Sequence, residues 1–152
     1  MTPEQKRLVE NTWKQMAASA DAAAALFYCR LFEIDPSTRQ LFRATDMVAQ
    51  RKKLVQTLNY AINGLDDLDA LASKVEELGR RHAGYGVTDA HYDSVGAALL
   101  WTLEQGLGQA WTPAVASAWS EVYRLLSGIM RNAAERAELL QNVWPAPFDA
   151  VI

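Results

Sequence analysis

Two histidines and one cysteine are the only imidazole and thiol metal ligands among these 152 residues. A disulfide within the chain is therefore impossible, and a zinc-type Cys/His cluster has no material to form from. His82 is the informative residue. Leu68, Leu71, Val75 and Leu78 recur in alternating steps of three and four, and the next step of that series lands on His82. A histidine that continues an apolar stripe points into the interior, where its polar ring needs a partner. Two readings are open. The ring is either a core histidine bonded to a backbone carbonyl, or a neutral imidazole that ligates a buried metal or haem iron while its other nitrogen is held by an acceptor. Haem is the one cofactor that a single buried histidine in an apolar helical pocket can hold. The carboxylate pairs Asp66–Asp67 and Glu76–Glu77 are adjacent, cannot face one another on a helix, and read as solvated surface. No phosphate loop, nucleophile elbow or catalytic dyad is present.

The elements that would position His82 are all helical. Thr2, Pro3 and Gln5 are placed as cap, first helical residue and capping-box partner, and Val9, Trp13 and Met16 follow on one face. A second, alanine-rich helix runs from Asp21 to Phe32 and ends at Asp35–Pro36, before a short turn that closes on Leu41 and Phe42. Asp46 to Gly64 carries the stripe Leu54, Leu58, Ala61 and Ile62, and the His82 helix comes next. After the loop AGYGV, Asp89 to Gly108 is striped by Tyr92, Val95, Leu99, Leu103 and Leu107. Thr112–Pro113 opens a last helix through Val115, Trp119, Val122, Leu126 and Ile129. No segment alternates with period two. The fold class is all-α.

A formal charge of −3 without a basic stripe argues against nucleic acid as a partner. No apolar run approaches the ~20 residues of a membrane span, so no membrane partner is expected. The polar start MTPEQKRLVE is unlike a signal peptide, and the expected compartment is the cytoplasm.

Several separated motifs, in order, resemble the globins: Trp13 in the first helix, Pro36 ahead of LF, the segment LGRRHAGYGV, the run HYDSVGAALL, and AWTPAVASAWSEVY. The chain is most similar to bacterial single-domain globins related to the haem domain of flavohaemoglobins, with neuroglobin-like features. The resemblance implies a globin fold of about seven helices around one haem b, with a globin domain at 1–132. The residues beyond it read, from their own sequence, as a C-terminal helical extension and tail at 133–152. In that extension, Glu135 to Leu140 would prolong the last helix. Trp144, Phe148 and Val151 would then fold back or meet a second copy as a homodimer.

Residue by residue, the resemblance makes His82 the proximal iron ligand and Phe42 the aromatic stacked on the haem. Gln50 falls at the distal position, thirty-two residues before His82, where neuroglobin-like proteins carry a histidine that closes the iron's sixth position. Leu54 roofs the ligand site, Tyr28 matches the distal tyrosine, and Leu78 lines the proximal side. Lys53, Arg80 and Arg81 are candidates for the haem propionates. Tyr92 matches a tyrosine that, with a glutamate, supports the proximal histidine of flavohaemoglobins. The glutamate's place falls on Ala134, with Glu135 one residue away, and that offset turns a helical side chain by about 100°. Cys29 follows Tyr28 directly and is expected to be a small buried residue.

The implied function is oxygen binding or transport, with Tyr28 ordered by Gln50 donating a hydrogen bond to the ligand. The alternatives are nitric oxide dioxygenation with an external electron donor, since no reductase module is expected, and a haem-based gas sensor. Oxygen, nitric oxide and carbon monoxide are the expected small partners.

Overall fold

The computed structural model describes residues 1–143, with backbone alone at 138 and from 140 onward. Six α-helices follow one another: α1 (Pro3–Met16), α2 (Ala20–Ile34), α3 (Met47–Asn63), α4 (Leu68–Gly84), α5 (Asp89–Leu107) and α6 (Pro113–Val143). Three short 3-10 segments, Ala17–Ser19, Pro36–Phe42 and Gly108–Ala110, join them, and no strand occurs among the described residues. Six α-helices among the described residues agree with the expected count of about seven, and the expected turn at Pro36–Phe42 winds as a 3-10 segment.

Local chemistry sets the ends. Thr2 and Gln5 form a reciprocal capping box with Pro3 in the first turn. Asp46 accepts from the Val48 amide, and Asp67 from the Ala70 amide, each satisfying an otherwise orphaned donor. Thr112 does the same for Val115 ahead of α6. Gly108 ends α5 at φ +55°, a conformation that costs glycine little.

The main core joins five helices through Val9, Trp13, Ile62, Leu65, Leu71, Val75, Leu103, Trp119 and Val122. Within it the Trp119 indole donates to Thr12 at 2.8 Å, so the one polar group that a buried tryptophan carries is satisfied. A second cluster lies between α2 and α5, where Phe27, Tyr28, Leu31 and Ala98 are joined by Phe32, Phe42, Met47 and Leu54. α4 packs chiefly on α6, and α2 on α5 and α3. α4 approaches α3 and α5 less closely among the described residues, and where α3 and α4 share the main core they do so through Ile62, Leu71 and Val75, away from Gln50 and His82.

The α4–α6 crossing depends on Gly79. A Cβ there would fall 2.5 Å from the Met130 carbonyl oxygen and 2.7 Å from the Met130 Cα, which are backbone atoms that cannot rotate aside. Gly79→Ala gains helix propensity of up to ~1 kcal/mol, but overpacking costs about 1–3 kcal/mol or more. The crossing should lose. Thermal melts of the haem-loaded protein should show Tm falling by about 2–8 °C. Gly84→Ala, where an added Cβ meets nothing within 4 Å, should not lower it.

Beyond Asn132, α6 continues unbroken to Val143, and Ala133 and Ala137 are buried. Trp144, Phe148 and Val151 lie outside the described residues.

Candidate functional site

Tyr28, Phe42, Gln50 and Leu54 come from three different segments and meet in the second cluster. Tyr28 is buried in α2, edge-on to Phe27 at 5.0 Å and to Phe42 at 5.3 Å between ring centroids. The Gln50 amide reaches it from the first turn of α3, and Nε2 donates to the phenol oxygen at 3.2 Å. That bond occupies a lone pair of the phenol and leaves its hydrogen free to donate elsewhere. Burial pushes the Tyr28 hydroxyl up from its ordinary value, partly opposed by the Gln50 bond, so the phenol keeps its proton at neutral pH. Oε1 of Gln50 is buried without a partner in the described structure. Leu54 and Phe42 are half-buried against the same cluster.

Lys53 is exposed, one residue before Leu54, and is not a member of the cluster. Arg81 is paired with Glu77 at 2.7 Å, and Arg80 is exposed.

His82 and Leu78 share one face of α4. Nδ1 of His82 lies 2.7 Å from the Leu78 carbonyl. A carbonyl can only accept, so Nδ1 carries the hydrogen and Nε2 keeps its lone pair. Burial draws the imidazole below its ordinary value, outweighing the carbonyl's opposite pull, and the ring is held neutral. His91 is differently employed. It stands third in α5, with Nδ1 accepting from the Thr88 amide at 3.0 Å and Nε2 lying 3.2 Å from the Ser37 hydroxyl.

A family model described as Globin matches residues 25–130. The chain belongs to the globin family. This globin is 26% identical to neuroglobins of Chaenocephalus aceratus and Dissostichus mawsoni, each over 91% of its own length and 98% of theirs. It is also 27% identical to a protein of Oryza sativa subsp. indica described as anaerobic nitrite reductase NSHB5, over 88% of its length and 95% of that relative. As a globin it binds haem and a small gaseous ligand. No helix among its described residues is long and apolar enough to cross a membrane.

Haem fits the residues present. The fixed Nδ1–H with a free Nε2 lone pair is the protonation pattern an axial imidazole needs. At Tyr28, the phenol hydrogen that Gln50 leaves unspent is a donor available to a ligand that can accept it. Groups of three or more His, Cys, Asp or Glu able to hold a bare metal ion are absent among the described residues.

Around Tyr92 this globin has a cation. The Tyr92 hydroxyl is buried without a partner, and the Arg131 guanidinium lies 5.2 Å over its ring while bonding Asp93 at 2.8 Å. Burial pushes the Tyr92 hydroxyl up to about 12, so it too is neutral. Glu135 instead lines a cleft with Glu76, Ile129, Asn132 and Arg136 between α4 and α6. Arg131 was not singled out by sequence reasoning, because nothing in a lone arginine on α6 distinguishes it from a solvated charge. Cys29 corrects an expectation: it is exposed. It lies about 100° round α2 from Tyr28, off the face that packs on α5.

Proposed function

We propose that this globin binds oxygen reversibly, with His82 as the axial ligand of haem b and Tyr28 with Gln50 as the distal hydrogen-bonding pair. The observation that carries the reading is the 3.2 Å bond from Gln50 Nε2 to the Tyr28 oxygen, which orients a protonated phenol and leaves its hydrogen unspent. Haem iron, once bound, supplies the coordination position at which the gas is held. The work of this chain is to choose and retain the ligand. Tyr28 donates a hydrogen bond to a ligand whose outer atom carries negative charge, and it does so from inside an aromatic cluster where such bonds are stronger than in water. Leu54 and Phe42 keep water from that hydrogen bond, and Phe42 would help to hold the haem by apolar contact. Leu78 fixes the tautomer of His82 through its carbonyl, so the imidazole is pre-set as a neutral donor. Lys53 is proposed as a propionate neighbour at the pocket's edge.

The closed sixth position of neuroglobin-like proteins has no counterpart in this reading. The chain has two histidines, and both ring nitrogens of His91 are engaged at the start of α5.

An oxygen titration of the reduced protein tests the proposal. Binding should be stoichiometric and fully reversed under argon. Repeated conversion of nitric oxide to nitrate, sustained by an external reductase, would make dioxygenation the function and oxygen binding a step within it.

A further inference from the structure

The polar groups around His91 form a continuous path between the two sides of the proposed site. On the α2 side, the Asp35 amide donates to the Leu31 carbonyl at 2.9 Å, continuing the helix that carries Tyr28. Asp35 then gathers donors: the Ser37 hydroxyl and amide bond Oδ1, and the Ser94 hydroxyl bonds Oδ2 at 2.9 Å. These bonds, Ser37 first, hold the Asp35 carboxyl below the usual carboxylate range, with His91 adding to the effect. Ser37 spends its hydrogen on Asp35, so at the 3.2 Å contact with His91 it accepts from Nε2–H. The other ring nitrogen is fixed independently. A backbone amide can only donate, so Nδ1 must accept from Thr88 N–H at 3.0 Å. On the α4 side, the neighbouring Val87 amide donates at 3.2 Å to the backbone carbonyl of His82 itself.

We infer that Asp35, Ser37 and His91 form a strap that positions the loop after His82 against the end of α2, and that protonation of His91 opens it. Histidine is the side chain that changes charge between about pH 5 and 8. Protonated His91 carries a hydrogen on Nδ1, which sets donor against donor at Thr88 and breaks the capping box that starts α5. Asp35 is the charged group facing His91 from the neighbouring turn, and Asp89 stands two residues before it in the first turn of α5. Ser37, Thr88 and Ser94 are uncharged. Asp35 holds Ser37 in place whether or not His91 is charged, so the Thr88 contact is the end that gives way. His91 is thereby a positioning residue for the loop, not a ligand.

Gln is the residue a capping box normally carries at this position, and it accepts from the cap amide without titrating. His91→Gln therefore separates the hydrogen bond from the proton. In the haem-loaded full chain, the Thr88 amide's hydrogen-exchange protection factor should fall about tenfold between pH 8 and pH 5, the loss of one net hydrogen bond. In His91→Gln it should stay constant across that range. Carbon monoxide release, followed by stopped flow, should vary with pH in the same window for the natural sequence and be flat in the variant. Equal protection at both pH values in the natural sequence, or the same fall in His91→Gln, overturns the strap. A shifting amide with a pH-independent release rate overturns its link to the site. Failure of gas binding in every variant would count against the proposed function alone, since the amide is read without it.

Discussion

Replacing His82 with alanine is expected to strip the protein of stoichiometric haem, while His91→Ala keeps it. The expectation rests on how few donors this chain offers. Two histidines exist, and only His82 has a ring nitrogen left over. Its Nδ1 hydrogen is committed to Leu78, and its Nε2 lone pair is free. His91 spends one nitrogen on the Thr88 amide and the other on Ser37. Cys29, the one thiol, is exposed and stands off the α2 face that carries Tyr28. The haem-to-protein ratio after purification, from the absorbance of the pyridine complex, measures the outcome directly. His91→Ala should lose its bonds to Thr88 and Ser37, each worth about 0.5–1.5 kcal/mol of stability, and no haem ligand. Equal haem content and unchanged spectra in both variants would overturn the assignment.

Tyr28→Phe should speed oxygen release by about ten- to a hundredfold. A hydrogen bond to a charged partner is worth roughly 1.5–3 kcal/mol, and each 1.4 kcal/mol is a factor of about ten in rate or affinity. The substitution is close to isosteric, so the edge-on contacts with Phe27 and Phe42 should survive. What disappears is the hydrogen that Gln50 leaves available and the acceptor that Gln50 uses. Carbon monoxide carries less charge on its outer atom, and its release should change by a smaller factor. Stopped-flow release rates for the two gases, measured side by side, check both statements. A Tyr28→Phe protein that releases oxygen at the rate of the natural sequence would show that the phenol does not touch the ligand.

How legible the site was depended on whether each residue's neighbours are near in sequence. The helix ends could be read almost directly, because Thr2–Pro3–Gln5, Asp46 and Thr112–Pro113 act within their own first turns. His82 was legible because the stripe leading to it is strict, though the stripe alone favoured a core histidine and only the family resemblance made it a ligand. The convergence of Tyr28, Phe42, Gln50 and Leu54 was not readable from periodicity. Those positions lie on three segments, and only the family resemblance brought them together. α2 also hides its facing. It is apolar on most sides, so Cys29 looked as fit for burial as Tyr28 and proves exposed. The strap escaped for a different reason. Asp35–Pro36 reads correctly as a helix terminator, but the bond that Ser37 makes to His91 spans 54 residues. Gly79 gives no sign in sequence that a neighbouring backbone lies against it.

The central claim is that one histidine holds the haem and the opposite side is open to gas. The absorption spectrum of the reduced protein, recorded first under argon and then under oxygen, tests it most directly. A high-spin, five-coordinate ferrous spectrum that converts on adding oxygen, and returns when oxygen is removed, is the predicted result. A low-spin, six-coordinate ferrous spectrum under argon, of the kind two histidines produce, would contradict the account. It would mean that His91 leaves its cap to close the site, or that position 50 does not stand where the distal pair requires it.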